Sequence, residues 1–258
     1  MKNFLIESAL LTHGLVSLKD DFMEQFWPKD LDNIAWVDGG QIRTGSIADY
    51  LFFRRSHEKL LRIDSASLSS ALSEGCSGGL TASGTMAACL LQGLSLAVTC
   101  GMGGIGNIRG AEFSADLTAL SRLPVALIAT SPKDMLDIPA TINWLAEHGV
   151  KVLGYGSSFC DGFIFPGAKT ELAGCMEWGA ERPLLPGELL LNAISKECRL
   201  QDTDFLRQGI EVGKVAVKKG EYFHPAANGT IDRLSKGQSA MIQLRSLIAN
   251  ALLAERCC

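Results

Sequence analysis

Residues 81–155 constrain the fold most, because short apolar runs alternate there with polar or glycine-rich turns. Three runs have the length of buried strands, over residues 94–100, 124–130 and 150–155. Helical patterns separate these runs. Buried strands that alternate with helices are typical of a parallel α/β sheet. The sequence therefore predicts an α/β fold with a parallel or mixed central sheet flanked by helices. Ligand-binding groups are expected in the turns that follow its strands.

A single large domain is predicted over residues 1–258, because a chain of this length can bury a substantial core. Residues 1–62 form its N-terminal part, with a strand and a hairpin, and residues 81–155 form its catalytic core. Beyond this core the pattern weakens. Residues 180–186 are expected to lead into a final pair of helices, of which the last covers residues 239–256.

Composition and charge exclude several classes of function. The net charge of -4 gives no basic excess, which argues against long nucleic acid as a partner. Glu7 and His13 interrupt the N-terminal segment where a signal peptide needs an apolar core. No apolar run reaches the roughly 20 residues that span a bilayer. The eight cysteines are scattered without a C-x-x-C pair, which favours reduced thiols over disulfides or zinc. A cytoplasmic protein is predicted.

A glycine turn follows the first predicted strand of the core. Gly101, Gly103 and Gly106 spell G-x-G-x-x-G, the pattern of dinucleotide-binding proteins. That motif opens a helix directly and is followed by an acidic residue at the end of the next strand. Here the next strand ends at Thr130 and Ser131, without a carboxylate. The turn therefore does not predict a nicotinamide or flavin enzyme, but its backbone N–H groups can approach a phosphate closely.

Lys133 stands in a segment with the chemistry of a helix start. Ser131 is suited to the N-cap, Pro132 to the first helical position and Asp134 to the third. The positive end of a helix dipole disfavours an ammonium group, and burial would lower the lysine pKa further. Such an amine is a nucleophile. The alternative is an exposed lysine that extends past the cap into solvent.

Seven motifs occur in order along the chain: Glu7-Ser-Ala-Leu-Leu-Thr-His-Gly, Thr81-Ala-Ser-Gly-Thr-Met, Gly101-Met-Gly-Gly, Arg109-Gly-Ala-Glu, Ser114-Ala-Asp-Leu, Lys133-Asp-Met-Leu-Asp and Gly149-Val-Lys-Val-Leu-Gly-Tyr. In these motifs the chain resembles the pseudouridine-5'-phosphate glycosidases and the related indigoidine synthase A-like proteins. The resemblance covers residues 7–155 well and residues 220–255 only loosely. It implies reversible cleavage of the C–C bond between ribose 5-phosphate and uracil, through an imine on a lysine.

The resemblance also implies roles for individual residues. Lys133 would be the nucleophile and Glu7 the proton donor. The residue type supports the second role, since a carboxylate in an apolar strand needs a partner or a raised pKa. Substrate contacts are implied at Arg62, Ala82, Thr99, Ser114, Ala115 and Asp116. Ser114 and Asp116 are also typical of an ordinary helix start. Family members are trimers, so a homotrimer is expected.

One departure from the family pattern concerns the residue that binds the metal ion in the family. The family binds manganese through an aspartate two residues before its Ser-Ala-Asp motif, and Glu112 holds that register here. A glutamate can hold a hard divalent ion through oxygen. Glu112 can equally be the ordinary glutamate of the preceding motif. Two further functions stay open: a synthase that joins ribose 5-phosphate to another carbon nucleophile, and a non-catalytic protein that binds sugar phosphates.

Overall fold

The computed structural model describes residues 2–106, 113–221 and 223–258, and its strands form in short, mostly buried apolar segments. In chain order they are β1 (Phe4–Ile6), β2 (Ile34–Asp38), β3 (Gln41–Gly45), β4 (Leu61–Ile63), β5 (Gly78–Leu80), β6 (Leu96–Val98), β7 (Gly101–Met102), β8 (Ala126–Ala129), β9 (Ser131–Pro132), β10 (Lys151–Tyr155), β11 (Phe159–Cys160), β12 (Thr170–Glu171), β13 (Gly174–Met176) and β14 (Glu188–Leu191).

The helices follow the strands in the alternation that the sequence predicts. They are α1 (Asp20–Phe26), α2 (Ile47–Arg55), α3 (Leu68–Ser73), α4 (Ala82–Leu91), α5 (Ala115–Arg122), α6 (Ile138–Glu147), α7 (Asp204–Lys218), α8 (Phe223–Leu234) and α9 (Gln238–Ala254). A π-helical turn covers Leu10–Gly14 and a 3-10 turn covers Lys196–Cys198. None of the described helices is both long and apolar enough to cross a bilayer.

The central sheet is mixed, with the strand order β13-β10-β14-β8-β6-β1-β2-β5-β4. Neighbours from β13 to β2 are parallel, whereas β5 and β3 pair with β2 in the antiparallel sense. This confirms the predicted α/β fold. Because β1, β6 and β8 are adjacent and parallel, the residues that follow them meet at one edge of the sheet.

Helices cover both faces of this sheet. Phe4 and Ile6 point into the apolar layer that α8 and α9 complete, and Leu5 points into the layer with α4, α5 and α6. Such two-sided burial explains why the strands are continuously apolar rather than alternating. Each fully buried aliphatic side chain contributes roughly 1.5–3 kcal/mol. The two layers hold the strand ends that carry the polar residues.

The prediction for the C-terminal half was wrong in one respect. Residues 180–186 lead into β14, which is fully buried between β10 and β8, and not directly into helices. Its leucines have a high intrinsic helix propensity, but pairing between two parallel strands overrides that preference. Helices α7, α8 and α9 then follow, instead of one pair. The predicted last helix is confirmed as α9.

Candidate functional site

Glu7 and Thr99 meet where two neighbouring strands end. Glu7 directly follows β1, and its side chain is buried with 7% exposure. Its backbone N–H donates to the Val98 carbonyl at 2.9 Å, which continues the pairing of β1 with β6. Thr99 directly follows β6, and its hydroxyl donates a hydrogen bond to the Glu7 carboxylate. The parallel register of β1 and β6 thus places a hydroxyl donor on a buried carboxylate.

Lys133 lies in the turn between β9 and α6, against the glycine turn. Its N–H donates to the Met102 carbonyl at 3.1 Å, next to the pairing of β7 with β9. A Cβ atom at Gly101 would stand 3.2 Å from the Lys133 Cγ. Such a contact is tighter than most, so glycine at this position lets the lysine stem approach the turn.

The prediction that Lys133 starts a helix was wrong. Helix α6 begins at Ile138, with Asp137 as its N-cap; the Asp137 carboxylate accepts from the Ala140 N–H at 2.9 Å. Ser131 and Pro132 are extended in β9 instead. The residue before a proline favours extended backbone, and pairing with β7 stabilises that conformation. A helix dipole therefore does not act on the lysine, and any shift in its pKa has another origin.

One pocket brings the predicted nucleophile, acid and anchor together. It has about 380 Å³ of empty space, including its opening to solvent, and Glu7, Arg62 and Lys133 all line it. Lys133 is partly buried, whereas Arg62 is exposed. The pocket therefore has an ionisable pair, Glu7 and Lys133, inside and a cation at its solvent side.

The surroundings shift the pKa values of Glu7 and Lys133 in opposite directions. Burial raises the pKa of Glu7, against the opposing effects of the Thr99 hydrogen bond and the positive charges of Lys133 and Arg62. Burial lowers the pKa of Lys133, and the charge of Arg62 lowers it further, while Glu7 opposes the change. Both shifts favour the uncharged forms, a protonated acid beside a free amine. These forms suit a proton donor and a nucleophile.

The remaining predicted substrate residues surround the glycine turn and are not part of the pocket lining. Asp116 is buried, and its carboxylate accepts from the Gly103 N–H at 2.7 Å and the Ser83 N–H at 2.9 Å. The Ser114 hydroxyl caps α5 by accepting from the Asp116 N–H at 3.2 Å. Ala82 and Ala115 are the first residues of α4 and α5. The Asp116 carboxylate thus connects the glycine turn to the starts of α4 and α5. Substrate contacts by Ala82, Thr99, Ser114, Ala115 and Asp116 stay a prediction.

Helices α8 and α9 supply pocket residues that sequence reasoning missed. Asn228 and Gln243 line the pocket, and so does His13 from the π-helical turn. The buried face of α9 carries a polar stripe, defined as Gln243, Ser246 and Asn250. Polar residues three or four positions apart on a buried helix face were an available signal. Their partners lie too far away in the chain to be identified from the sequence.

The polar stripe of α9 stabilises the strand ends. The Asn250 amide donates to the Thr99 carbonyl at 2.7 Å and to the Thr130 hydroxyl at 3.0 Å, and its oxygen accepts from the Asn192 amide at 3.0 Å. Ser246 is hydrogen-bonded to Thr130. The residue that donates to Glu7 is therefore itself fixed from α9.

The predicted metal ligand, Glu112, and the Arg109 motif before it lie outside the described residues. Among residues 2–106, 113–221 and 223–258, no group of three or more His, Cys, Asp or Glu side chains could hold a metal ion. Manganese binding through Glu112 therefore stays a prediction.

Known proteins resemble this chain over most of its length. The family model described as Indigoidine synthase A like protein matches residues 32–257. Pseudouridine-5'-phosphate glycosidase from Thermus thermophilus is 30% identical over 275 aligned positions, which cover 97% of this chain and 94% of that protein. The enzyme of the same name from Petrotoga mobilis is 27% identical and covers 96% of this chain and 88% of its own length.

Solved structures show the same fold. An indigoidine synthase A-like protein from Thermotoga maritima superposes with a TM-score of 0.78 at 19% identity, over 99% of this chain and 92% of that one. The prealnumycin C-glycosynthase AlnA, solved in complex with ribulose 5-phosphate, gives 0.74 at 20% identity, over 98% and 89% of the two chains. By its family-model match and its 30% identity to a curated relative, this chain belongs to the indigoidine synthase A-like family.

Proposed function

We propose that this chain is a C-glycosidase that reversibly cleaves pseudouridine 5'-phosphate into uracil and ribose 5-phosphate, with Lys133 as nucleophile and Glu7 as proton donor. The observation that carries the proposal is that both side chains line one pocket and that their pKa values are shifted toward the forms this reaction needs. The names of the curated relatives support the choice of substrate.

The chemistry explains why an amine and an acid are needed together. Ordinary glycosidases protonate a leaving oxygen between two carboxylates, but here the leaving atom is a carbon without a lone pair. The C1'–O4' bond breaks with its electron pair going to O4', and the Lys133 amine bonds to C1' and gives up a proton to O4', so the sugar ring opens. The nitrogen lone pair then forms the C1'=N bond as the C1'–C5 bond breaks, the electron pair of that bond goes to C5 of uracil, and C5 takes the proton of Glu7. Water hydrolyses the resulting imine and releases ribose 5-phosphate.

Two further groups have parts in this proposal. Arg62 is exposed at the pocket and can hold the phosphate through a bidentate interaction. Thr99 orients the Glu7 carboxylate by its hydrogen bond. The proposal uses no metal in any step. If Glu112 holds manganese, the ion would supply a positive charge.

Uracil release from pseudouridine 5'-phosphate tests the proposal. We expect release by the unchanged chain, loss on Lys133→Ala, and retention in the matched control Lys29→Ala, which removes an exposed lysine. Measurements with chelator, with added manganese and with Glu112→Gln test the metal prediction separately. Release that survives Lys133→Ala would overturn the proposed nucleophile.

The synthetic direction uses the same residues. A C-glycosynthase has the same fold, which is compatible with this alternative. At 20% identity, however, the likeness is evidence for the fold alone. Incubation of ribose 5-phosphate with uracil and with other carbon nucleophiles would identify the preferred partner. If the chain bound ribose 5-phosphate and catalysed neither direction, the non-catalytic alternative would replace the proposal.

A further inference from the structure

Asp134 directly follows the proposed nucleophile, and the reaction above gives it no role. Its carboxylate accepts three backbone hydrogen bonds, from Phe163 at 2.6 Å, Ile164 at 2.9 Å and Phe165 at 3.1 Å. Hydrogen bonds from three successive N–H groups to one carboxylate fix both partners firmly. Asp134 therefore holds the loop of residues 161–167, which we call the clamp loop.

The clamp loop is also fixed at its start. The Arg199 guanidinium, almost completely buried, donates to the Asp161 carboxylate and to the Asp161 carbonyl, each at 2.7 Å. Gly162 has φ of 112°, and a Cβ atom there would stand 2.2 Å from the Phe165 carbonyl oxygen. Only glycine fits this position without strain. In this conformation of the loop, Asp134 is the central acceptor.

This conformation brings an aromatic ring to the lysine. Phe163 is buried, with 3% exposure. A Cβ atom at Gly101 would stand 2.6 Å from the Phe163 Cζ and 3.2 Å from the Lys133 Cγ. The ring and the lysine stem therefore lie against the same side of Gly101. An apolar ring at this point excludes water from the lysine stem.

We propose that Asp134 is a positioning residue for Lys133: it holds the clamp loop so that the Phe163 ring packs beside the lysine stem and shields that stem from water. This inference deepens the proposed function, on which the importance of the lysine rests. It explains how the stem of a lysine outside any helix start is packed against an apolar side chain.

The charged and titratable groups around Lys133 do not replace this packing role. Four groups affect the pKa of Lys133 through their charge: Arg62 on β4, Glu7 after β1, Asp116 on α5 and Cys100 after β6. The charge of Lys133 in turn lowers the pKa of His224 on α8. The carboxylate of the clamp loop itself, Asp161, is paired with Arg199. We therefore expect the loop to act on Lys133 by excluding water and not by its charge.

Competitive labelling of amines with acetic anhydride over a pH series tests the inference without any sugar. Mass spectrometry of the Lys133 peptide gives the pH midpoint at which this amine becomes reactive. Asp134→Ala and Phe163→Ala should both move the midpoint upward, toward that of ordinary lysines, with Asp134→Asn between them and the unchanged chain. The matched control is Glu188→Gln, which alters another buried carboxylate that accepts a backbone N–H, from Leu185 at 3.0 Å. Its midpoint should stay unchanged.

Borohydride trapping with ribose 5-phosphate gives the functional readout. At pH 7 the trapping rate at Lys133 should fall about tenfold in Asp134→Ala and in Phe163→Ala, because less of the amine is neutral. If Asp134→Ala does not fold, Phe163→Ala decides, since it leaves the carboxylate and its three hydrogen bonds in place.

The two readouts separate this inference from the proposed function. Unchanged labelling midpoints in folded Asp134→Ala and Phe163→Ala would overturn the positioning role. Absence of trapping in the unchanged chain would overturn the proposed reaction, while the labelling midpoints would still decide whether Asp134 positions the lysine.

Discussion

Glu7 is proposed as the proton donor because its surroundings raise its pKa, and the hydrogen bond from Thr99 limits that rise. Burial at the end of an apolar strand favours the neutral acid, whereas the hydrogen bond from Thr99 favours the carboxylate. The two residues are 92 positions apart in the chain and meet only through the register of β1 and β6. The sequence identified both positions, but it did not show that they are bonded to each other.

Thr99→Val should shift the pH profile of uracil release. The substitution removes a hydrogen bond that lowers the pKa of Glu7, so this pKa should rise further. The donor loses its proton at higher pH, and the alkaline limb assigned to Glu7 should move to higher pH. Thr44→Val, at an exposed position on β3, is the control. A limb that stays in place or moves to lower pH would contradict the assignment.

Glu7→Gln should separate proton transfer from imine formation. Glutamine keeps the size of the side chain but cannot supply the proton, so kcat for uracil release should fall by about 10²–10⁴. Trapping of ribose 5-phosphate on Lys133 by borohydride should persist, because the amine is still present. Loss of trapping together with release would instead indicate that Glu7 is needed to form the imine or to hold the site together.

At the level of elements, the sequence predicted which segments form helices, but it did not predict which residues those helices contact. Helix α9 was predicted from its apolar spacing, and the structure confirms it. Its polar stripe bonds to strand ends more than a hundred residues away, such as Thr99 and Thr130. Helix propensity and spacing carry no information about such partners. The same limit explains β14, whose leucines are strand residues only because β8 and β10 lie on either side.

Asn250→Ala should destabilise the fold more than Ser246→Ala does. Asn250 is fully buried and makes three hydrogen bonds, so its loss leaves several buried polar groups unpaired. We expect a decrease of about 2–4 kcal/mol in the free energy of unfolding, measured in urea. The Ser246 hydroxyl is hydrogen-bonded to Thr130, and its replacement should cost about 1 kcal/mol. Equal and small losses in both variants would contradict the role given to the stripe.

On the scale of the whole molecule, the order of strands determines where the pocket residues lie. The sequence predicted the α/β class, because alternating strands and helices are a local pattern. It also identified Glu7, Arg62 and Lys133, which the fold brings to one pocket. It gave the wrong backbone for Lys133, since Ser131 and Pro132 suit a helix start as well as the strand they form. It missed Asn228 and Gln243, which reach the pocket only because α8 and α9 pack on the sheet.

Assembly is a further property of the whole molecule, and the expected homotrimer rests on resemblance. Sedimentation equilibrium of the full chain should give a mass three times that of one chain over a range of concentrations. Pseudouridine 5'-phosphate and ribose 5-phosphate should leave this mass unchanged if assembly does not depend on the ligand. A monomer at all concentrations would contradict the expectation.

Borohydride reduction shows whether the lysine in the pocket forms a covalent bond to the sugar, which the proposed reaction requires. The chain is mixed with ribose 5-phosphate, reduced with borohydride, digested and analysed by mass spectrometry, with Lys133→Ala treated in parallel. We expect one reduced adduct of the sugar phosphate on Lys133 and none in the variant. An unmodified Lys133 in the unchanged chain, or an adduct on another lysine that persists in the variant, would contradict the proposed reaction.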